Sequence, residues 1–542
     1  MRKGKRMLLI MVLLCSASLS LTQCATPTEP TNRLNVGYLA CVETLELDET
    51  IGWYPMAWTW WRLVYDRTFR YGLPPNYAPE AQLVTEWETE DRQTWIAHLN
   101  PDAVWHDGVP VTAEDLKFTL TDFFEAEPRW KYPSSDCESV TVINDHTLKF
   151  TLKAVHGDPV YPPMADLLIV PKHIWEPYFQ ACRDEGKPLS EHGYDNADAI
   201  GSGPFKLKEF KPGEYLWLEA HDDYYERPYV DEVVLRAYGT ADSLYAALQS
   251  GEIDVIGYGG ISPLALEDFQ GVEGIEILSS PGDMMSCISF NLHQDSPLGN
   301  NKAVRQAFMH AIDKDAIIDI VFRGYAEAIN SHVYSEMPVY NPELPWYGYN
   351  VSQANAILDS AGYNWSGDWR YCPEYGKLSF ELMINSDDPI QTPIAQMIKE
   401  QLEDVGIEIV VKSVDRSTFG AYLYDPEADQ FDLAITGMDP GPDNSWVWEW
   451  FRTGGLWNST FYSNSYLDGL IDAMYAETDM EAYIDLWYEM QDIVAEDLPY
   501  GMLWRPDVID PVSDEWEGWQ ISMGGVVGWT NQWSYLKVHL KE

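Results

Sequence analysis

The sequence predicts an α/β protein with more than one domain. Three observations carry this. Residues 377–436 read as strand, helix, strand, strand, with apolar alternation at Lys377–Asn385, Ile407–Val414 and Phe431–Thr436. Residues 200–258 read as a hairpin, a strand, an amphipathic helix and a further strand. The chain has 542 residues, 46% of them apolar, which suits more than one core and roughly two to four domains.

The elements follow in order. LNVGYLA, Leu34–Ala40, is an apolar run with strand character. The aromatic stretch Ile51–Asp66 is helical in its second half. In DAVWHDGVPVTAEDLKF a tight HDG turn precedes Thr112, which caps a helix with Asp115 three residues on, an acidic capping box. TVINDHTLKFTL is a hairpin around Asn144-Asp145, and GSGPFKLKEF with KPGEYLWLEA is another around Lys211-Pro212-Gly213. ADSLYAALQSGEIDVIGY gives a helix, a Gly251 stop and a strand. CISFNL, Cys287–Leu292, is a strand. In the next helix Val304, Ala307, Phe308, Ala311 and Ile312 share one face, Asp313 caps the helix after it and Gly324 ends that one. Thr392-Pro393 opens a helix that stops at Gly406. The chain closes with a helix near Met480–Glu496 and short strands.

Charge and termini narrow the function. Net charge is −51, from 86 acidic against 35 basic residues, which repels phosphate and makes nucleic acid an unsuitable partner. MRKGKR followed by the apolar Met7–Leu21 reads as an export signal, too short to span a bilayer. It ends in LTQC, which resembles the lipobox of exported lipoproteins with Gln23 in place of a small residue. Residues 1–24 are thus expected to be a lipoprotein signal with Cys24 lipidated, and residues 25–33 a tether, which places the protein at the outer face of the cytoplasmic membrane, at the cell surface or in the periplasm. Five cysteines remain in the mature chain, without CxxC spacing, so no metal or redox motif is expected, and Cys137 with Cys182 is a candidate bridge.

Four segments carry a resemblance: WHDGVPVTAEDLKFTL, GSGPFKLKEFKPGEYLWLEAHDDYY, ISFNLHQDSPLGNNKAVRQAFMHAIDKDAII and FDLAITGMDPGPDN. In this order they resemble the extracytoplasmic solute-binding proteins of ABC importers, family 5, the oligopeptide, dipeptide and nickel-binding group. The likeness runs from about Asn35 to the end of the chain. Leu298-Gly299-Asn300 and Gly437-Met438 depart from the family's usual Pro-Phe-Asp and Gly-Trp. The resemblance implies a bilobal fold, with two α/β lobes, a hinge and a smaller inserted domain. Lobe I would comprise residues 34–75, 195–286 and 506–542, the insertion residues 76–194, and lobe II residues 287–505. Ligand would be enclosed between the lobes and passed to ABC permease subunits in the membrane by a monomeric receptor that needs no cofactor.

The segment GMDPGPDNSW begins at the carboxyl end of a strand, where open α/β sheets bind ligands. A carboxylate there can hold an ammonium group by a charge-assisted hydrogen bond, and Pro440 and Pro442 stiffen the loop. The resemblance implies that an aspartate in this position holds a peptide's α-ammonium, and Asp439 matches it; organising the turn is the competing role. Asp443 either joins the site or, with Asn444 and Ser445, caps the helix that starts near Trp446. Tyr54 and Trp58 lie in the family's first cleft segment and offer aromatic faces, although such residues are often core. Asp283 and Met284 are expected on the hinge side of the cleft. Trp446 and Trp448, two apart, cannot both face a ligand.

These residues point to a peptide receptor. An oligosaccharide receptor of the same family is the second reading, since the 23 tryptophans suit stacking on sugars. A secreted hydrolase with paired carboxylates is a remote third: the chain has no GxSxG, HExxH or P-loop, and HDG is explained by its turn.

Overall fold

A computed structural model describes residues 32–541 except positions 40, 46, 48–54, 76, 124–136, 157–166, 187–195, 294–296, 426–430, 442–446 and 529. The signal, Cys24, Tyr54, Asp443 and Trp446 therefore lie outside the described residues.

A 12-stranded mixed sheet forms the backbone of the molecule. On one side, strand Arg33–Tyr38 runs parallel to Glu232–Ala237 and to Val255–Ile256, and the antiparallel hairpin Phe205–Lys211 with Tyr215–Ala220 extends the edge. On the other side, Ser379–Asn385 lies parallel to Glu408–Val414 and to Leu433–Met438, while Met285–Phe290 runs antiparallel to Leu433–Met438. Helix Gln391–Glu403 provides the crossover between the first two, as the strand–helix–strand pattern requires.

One 14-residue strand, Tyr500–Ser513, joins the two sides. Its first half pairs with Met285–Phe290 and with Ala326–Ala328, and its second half with Ile275–Pro281. Short strands were expected here; the run YGMLWRPDVIDPVS is instead continuous because its residues are buried along almost the whole length. Partners change between Trp504, opposite Ser286, and Asp507, opposite Pro281.

A separate antiparallel sheet of four strands, Val84–Thr89, Thr94–Leu99, Thr147–Leu152 and Cys137–Asn144, packs with helices Ala113–Phe118 and Lys172–Glu185. The HDG turn forms: Gly108 has φ +84°, and Asp107 Oδ1 accepts from the Val109 N–H at 3.1 Å. The capping box forms too, the Asp115 carboxylate accepting from the Thr112 N–H at 2.9 Å. His106 Nε2 lies 3.0 Å from the Gly203 carbonyl, and burial lowers its pKa to about 3, which fits a neutral structural imidazole.

Several expectations shift. The first hairpin turns on Asp145-His146, since Asn144 faces Thr147. Helix Gln391–Glu403 starts before Thr392, where Asp388 Oδ1 accepts from the Ile390 N–H at 3.2 Å; Pro393 sits in the first turn, where an N–H has no helical partner to lose. Cys137 and Cys182 are not joined in a disulfide, Cys182 being buried on its helix, so the expected bridge does not form. The VRQA face is as read: Val304, Ala307, Phe308, Ala311 and Ile312 are all buried. Asp313 Oδ1 caps the next helix through the Ala316 N–H at 3.0 Å.

Candidate functional site

The register of the central sheet brings the candidate residues together. Leu433–Met438 ends at Met438, directly opposite Met285 on the antiparallel neighbour. Asp439 therefore leaves the sheet at the edge where Asp283 and Met284 enter it. The next strand carries Arg505 past the same edge, since Trp504 is opposite Ser286. This edge is the carboxyl end of the parallel strands, where ligands bind in open α/β sheets.

Tyr334 knits these residues. Its hydroxyl donates to the Asp283 carbonyl at 2.6 Å and stands 3.5 Å from Asp439 Oδ1. The Arg505 guanidinium lies over the Tyr334 ring at 4.2 Å. It donates from Nε to the Gly282 carbonyl at 2.5 Å and from Nη1 to Glu336 Oε1 at 2.8 Å. Arg505 is only 3% exposed, so the fork is held in a dry setting where geometry counts. Tyr258 stands beside the Asp283 carboxylate. Burial first, then the charges of Asp283 and Asp439, push the Tyr258 hydroxyl well above its usual pKa. Burial and Asp439 do the same to Tyr334, against the opposing pull of Arg505.

Asp439 serves its turn as well: Oδ1 accepts from the Gly441 N–H at 2.9 Å, an Asx turn. A carboxylate has about four acceptor positions on two oxygens, so one turn bond does not exhaust it. Asp283 is buried, with Oδ2 set against Gly524 so closely that a Cβ there would stand 3.0 Å away. Met284 is exposed at the surface of the edge and lies across Gly437, where a Cβ would stand 2.5 Å from its Cε. Met438, where the family resemblance led one to look for tryptophan, is fully buried in the core beneath. Among the described residues the edge thus collects the carboxylates of Asp283, Asp439 and Glu336 around the cation of Arg505, a balance that favours a cationic group.

Asp283, Met284 and Asp439 thus converge at one edge of the sheet. Trp58 is on helix Pro55–Val64, half-buried and edge-on to Trp61 at 5.5 Å, with Trp60 and Trp61 wholly inside the first core. Trp448 turns inward against Trp487 at 4.7 Å. Tyr258, Tyr334, Glu336 and Arg505 were not foreseen. Tyr258 follows strand Val255–Ile256, and Arg505 is the one basic residue of strand Tyr500–Ser513, so both carried a signal; Tyr334 and Glu336 lie in a stretch without periodicity. Among the described residues no group of three His, Cys, Asp or Glu is arranged to hold a metal ion, and no helix is long and apolar enough to cross a membrane.

A mixed sheet shared by two halves of a chain, with carboxylates and aromatic hydroxyls at the junction, defines a solute-binding protein of the bilobal type. The profile of the bacterial extracellular solute-binding proteins, family 5 (middle region), matches residues 78–458, and the chain belongs to that family. It is 28% identical over 426 residues to the oligopeptide-binding protein AppA of Bacillus subtilis, covering 77% of this chain and 76% of the relative. The fold is similar to that of AppA from Bacillus subtilis in complex with a nonapeptide, with a TM-score of 0.73 at 22% identity over 95% of this chain and all of the other. It is also similar to NikZ from Campylobacter jejuni in complex with Ni(L-His), with a TM-score of 0.77 at 20% identity over 94% of this chain and all of the other. The family consists of extracytoplasmic binding proteins of ABC transporters, not enzymes.

Proposed function

We propose that this chain is a peptide receptor that captures di- or oligopeptides between two lobes and delivers them to the permease subunits of an ABC importer. The observation that carries the reading is the Asp439 carboxylate at the carboxyl end of the central strands, beside Asp283 and Tyr334. There the α-ammonium of a peptide meets a negative, partly desolvated edge. The relative AppA is named as an oligopeptide-binding protein, which supports the same ligand class. Met284 and Trp58 supply apolar and aromatic surface to the cleft, and Tyr54, Asp443 and Trp446 are the further ligand contacts expected from the sequence.

The lobes are 34–75 with 195–286 and 506–542, and 287–505, with 76–194 inserted. The partner switch of strand Tyr500–Ser513 between Trp504 and Asp507, beside the crossing Pro281–Met285, supports a hinge at these two crossings. The separate four-stranded sheet supports the insertion. Closure about that hinge is a two-state motion that ligand biases. The receptor acts as a monomer, tethered outside the cytoplasmic membrane through Cys24 and residues 25–33.

A thermal-shift panel tests the ligand class. Peptides, oligosaccharides and Ni(L-His) are offered side by side to the purified mature chain, and only peptides with a free amino terminus should raise the unfolding midpoint, by mass action. A rise with oligosaccharides or Ni(L-His) and none with peptides would overturn the peptide assignment while leaving the receptor class intact.

A further inference from the structure

Away from the cleft, a cavity of about 20 Å³ lies among helices Lys302–Ala311, Lys314–Val321 and Met480–Asp497. Its polar lining includes Lys314, Asn330 and His332, and Met309, Leu344 and Val494 contribute apolar wall. Lys314 is 5% exposed, and its ammonium donates to the Ile329 carbonyl at 2.9 Å. Among the described residues no carboxylate pairs with it, and none lines the cavity. The Trp346 ring lies 5.1 Å from the ammonium, so it has a carbonyl and a ring face beside it but, among the described residues, no counter-ion. The nearest acidic influence is Asp315, which is exposed on the same helix.

His332 supplies the second observation. It is 2% exposed, and its Nε2 has no hydrogen-bond partner. Burial keeps the ring neutral, with its pKa lowered to about 3, so the imidazole has one N–H to give. The Asn330 amide is only loosely engaged, 3.4 Å from the Leu344 carbonyl. The cavity thus holds an ammonium with two further N–H groups, an amide and an imidazole nitrogen that donates in one of the ring's two tautomers. A buried charge without a counter-ion is costly, and a buried polar nitrogen without a partner adds to that cost. Both costs fall together if one anion occupies the space. A water needs roughly 10–15 Å³ of such space, so the cavity has room for a small ion.

We propose that this cavity is a binding site for one small monovalent anion, chloride in solution, held by the Lys314 ammonium, His332 with its proton on Nε2 and the Asn330 amide. Burial alone lowers the Lys314 pKa to about 7, and a bound anion supplies the counter-charge that keeps the ammonium protonated. The ion ties the start of helix Lys314–Val321 and the 329–332 segment to helix Met480–Asp497. The site is independent of the cleft and of the ligand that the cleft takes.

Bromide, which scatters anomalously, is the direct probe. Crystals of the mature protein soaked in sodium bromide should show an anomalous peak between Lys314 and His332. Solvent water alone in the cavity, or bromide confined to the outer surface, overturns the proposal. In solution, the unfolding midpoint should rise when sodium gluconate is replaced by sodium chloride at constant ionic strength. That rise should be lost in Lys314→Met and reduced in His332→Phe. A chloride-dependent rise of equal size in either folded variant overturns the assignment, and the bromide map decides the matter even if a variant fails to fold.

Discussion

Replacing Asp439 separates its two roles. Its Oδ1 accepts the Gly441 N–H at 2.9 Å, so Asp439→Ala removes both a turn acceptor and a charge. Asp439→Asn keeps an amide oxygen for the turn and removes only the charge. A hydrogen bond to a charged group contributes about 1.5–3 kcal/mol, and each 1.4 kcal/mol is tenfold in affinity. The Asn variant should therefore bind a free-amine peptide about 10- to 150-fold more weakly than the parent, with unchanged stability. The Ala variant should bind at least as weakly and also lose stability, since the Gly441 N–H loses its partner. The assay is calorimetric titration with a peptide and its N-acetylated twin. Acetylation should cost the parent about what Asp439→Asn costs, and the two losses should not add, as in a double-mutant cycle on one interaction. If Asp439→Asn binds the free-amine peptide within twofold of the parent, the carboxylate is a turn residue only and the anchoring argument fails.

Other consequences can be measured alongside. Arg505→Met removes a buried fork that holds the Gly282 carbonyl and Glu336; breaking such a pair costs about 3 kcal/mol, read as a lower urea midpoint, and an unchanged midpoint would mean that the fork is ornamental. Asp510 is buried and accepts from the Val526 N–H, and burial raises its pKa from 3.8 to about 7. The folded state thus holds its proton more tightly than the unfolded chain, so its contribution is full below about pH 4 and is lost as pH rises toward 7. Over about three units the loss has an upper bound near 4 kcal/mol. Asp510→Asn should flatten that limb of the thermal midpoint against pH, and an unaltered limb would contradict the burial argument. Saturating peptide should reduce the radius of gyration measured by small-angle scattering, whereas identical curves would count against closure about 281–285 and 504–507.

The fold was legible wherever periodicity and turn chemistry act locally. The strand–helix–strand unit after Gly376, the Gly108 and Gly213 turns and the Asp115 box follow from neighbours in sequence. The long strand Tyr500–Ser513 was not legible, because its continuity depends on pairing with strands more than 200 residues away. The edge of the site shows the same division. Asp439 could be read from a strand end followed by an acidic, proline-bearing loop. Tyr334 could not, since its place over Arg505 and beside the Asp283 carbonyl is set by tertiary packing alone. The Cys137–Cys182 pairing failed for a related reason: cysteine count and spacing carry no distance information.

The most direct test of the receptor account is native mass spectrometry of gently purified mature protein, loaded with a mixed pool of peptides and oligosaccharides and then denatured to identify what is released. The account predicts stoichiometric peptide with a free amino terminus, and loss of that occupancy in Asp439→Asn. Stoichiometric oligosaccharide with no peptide would contradict it.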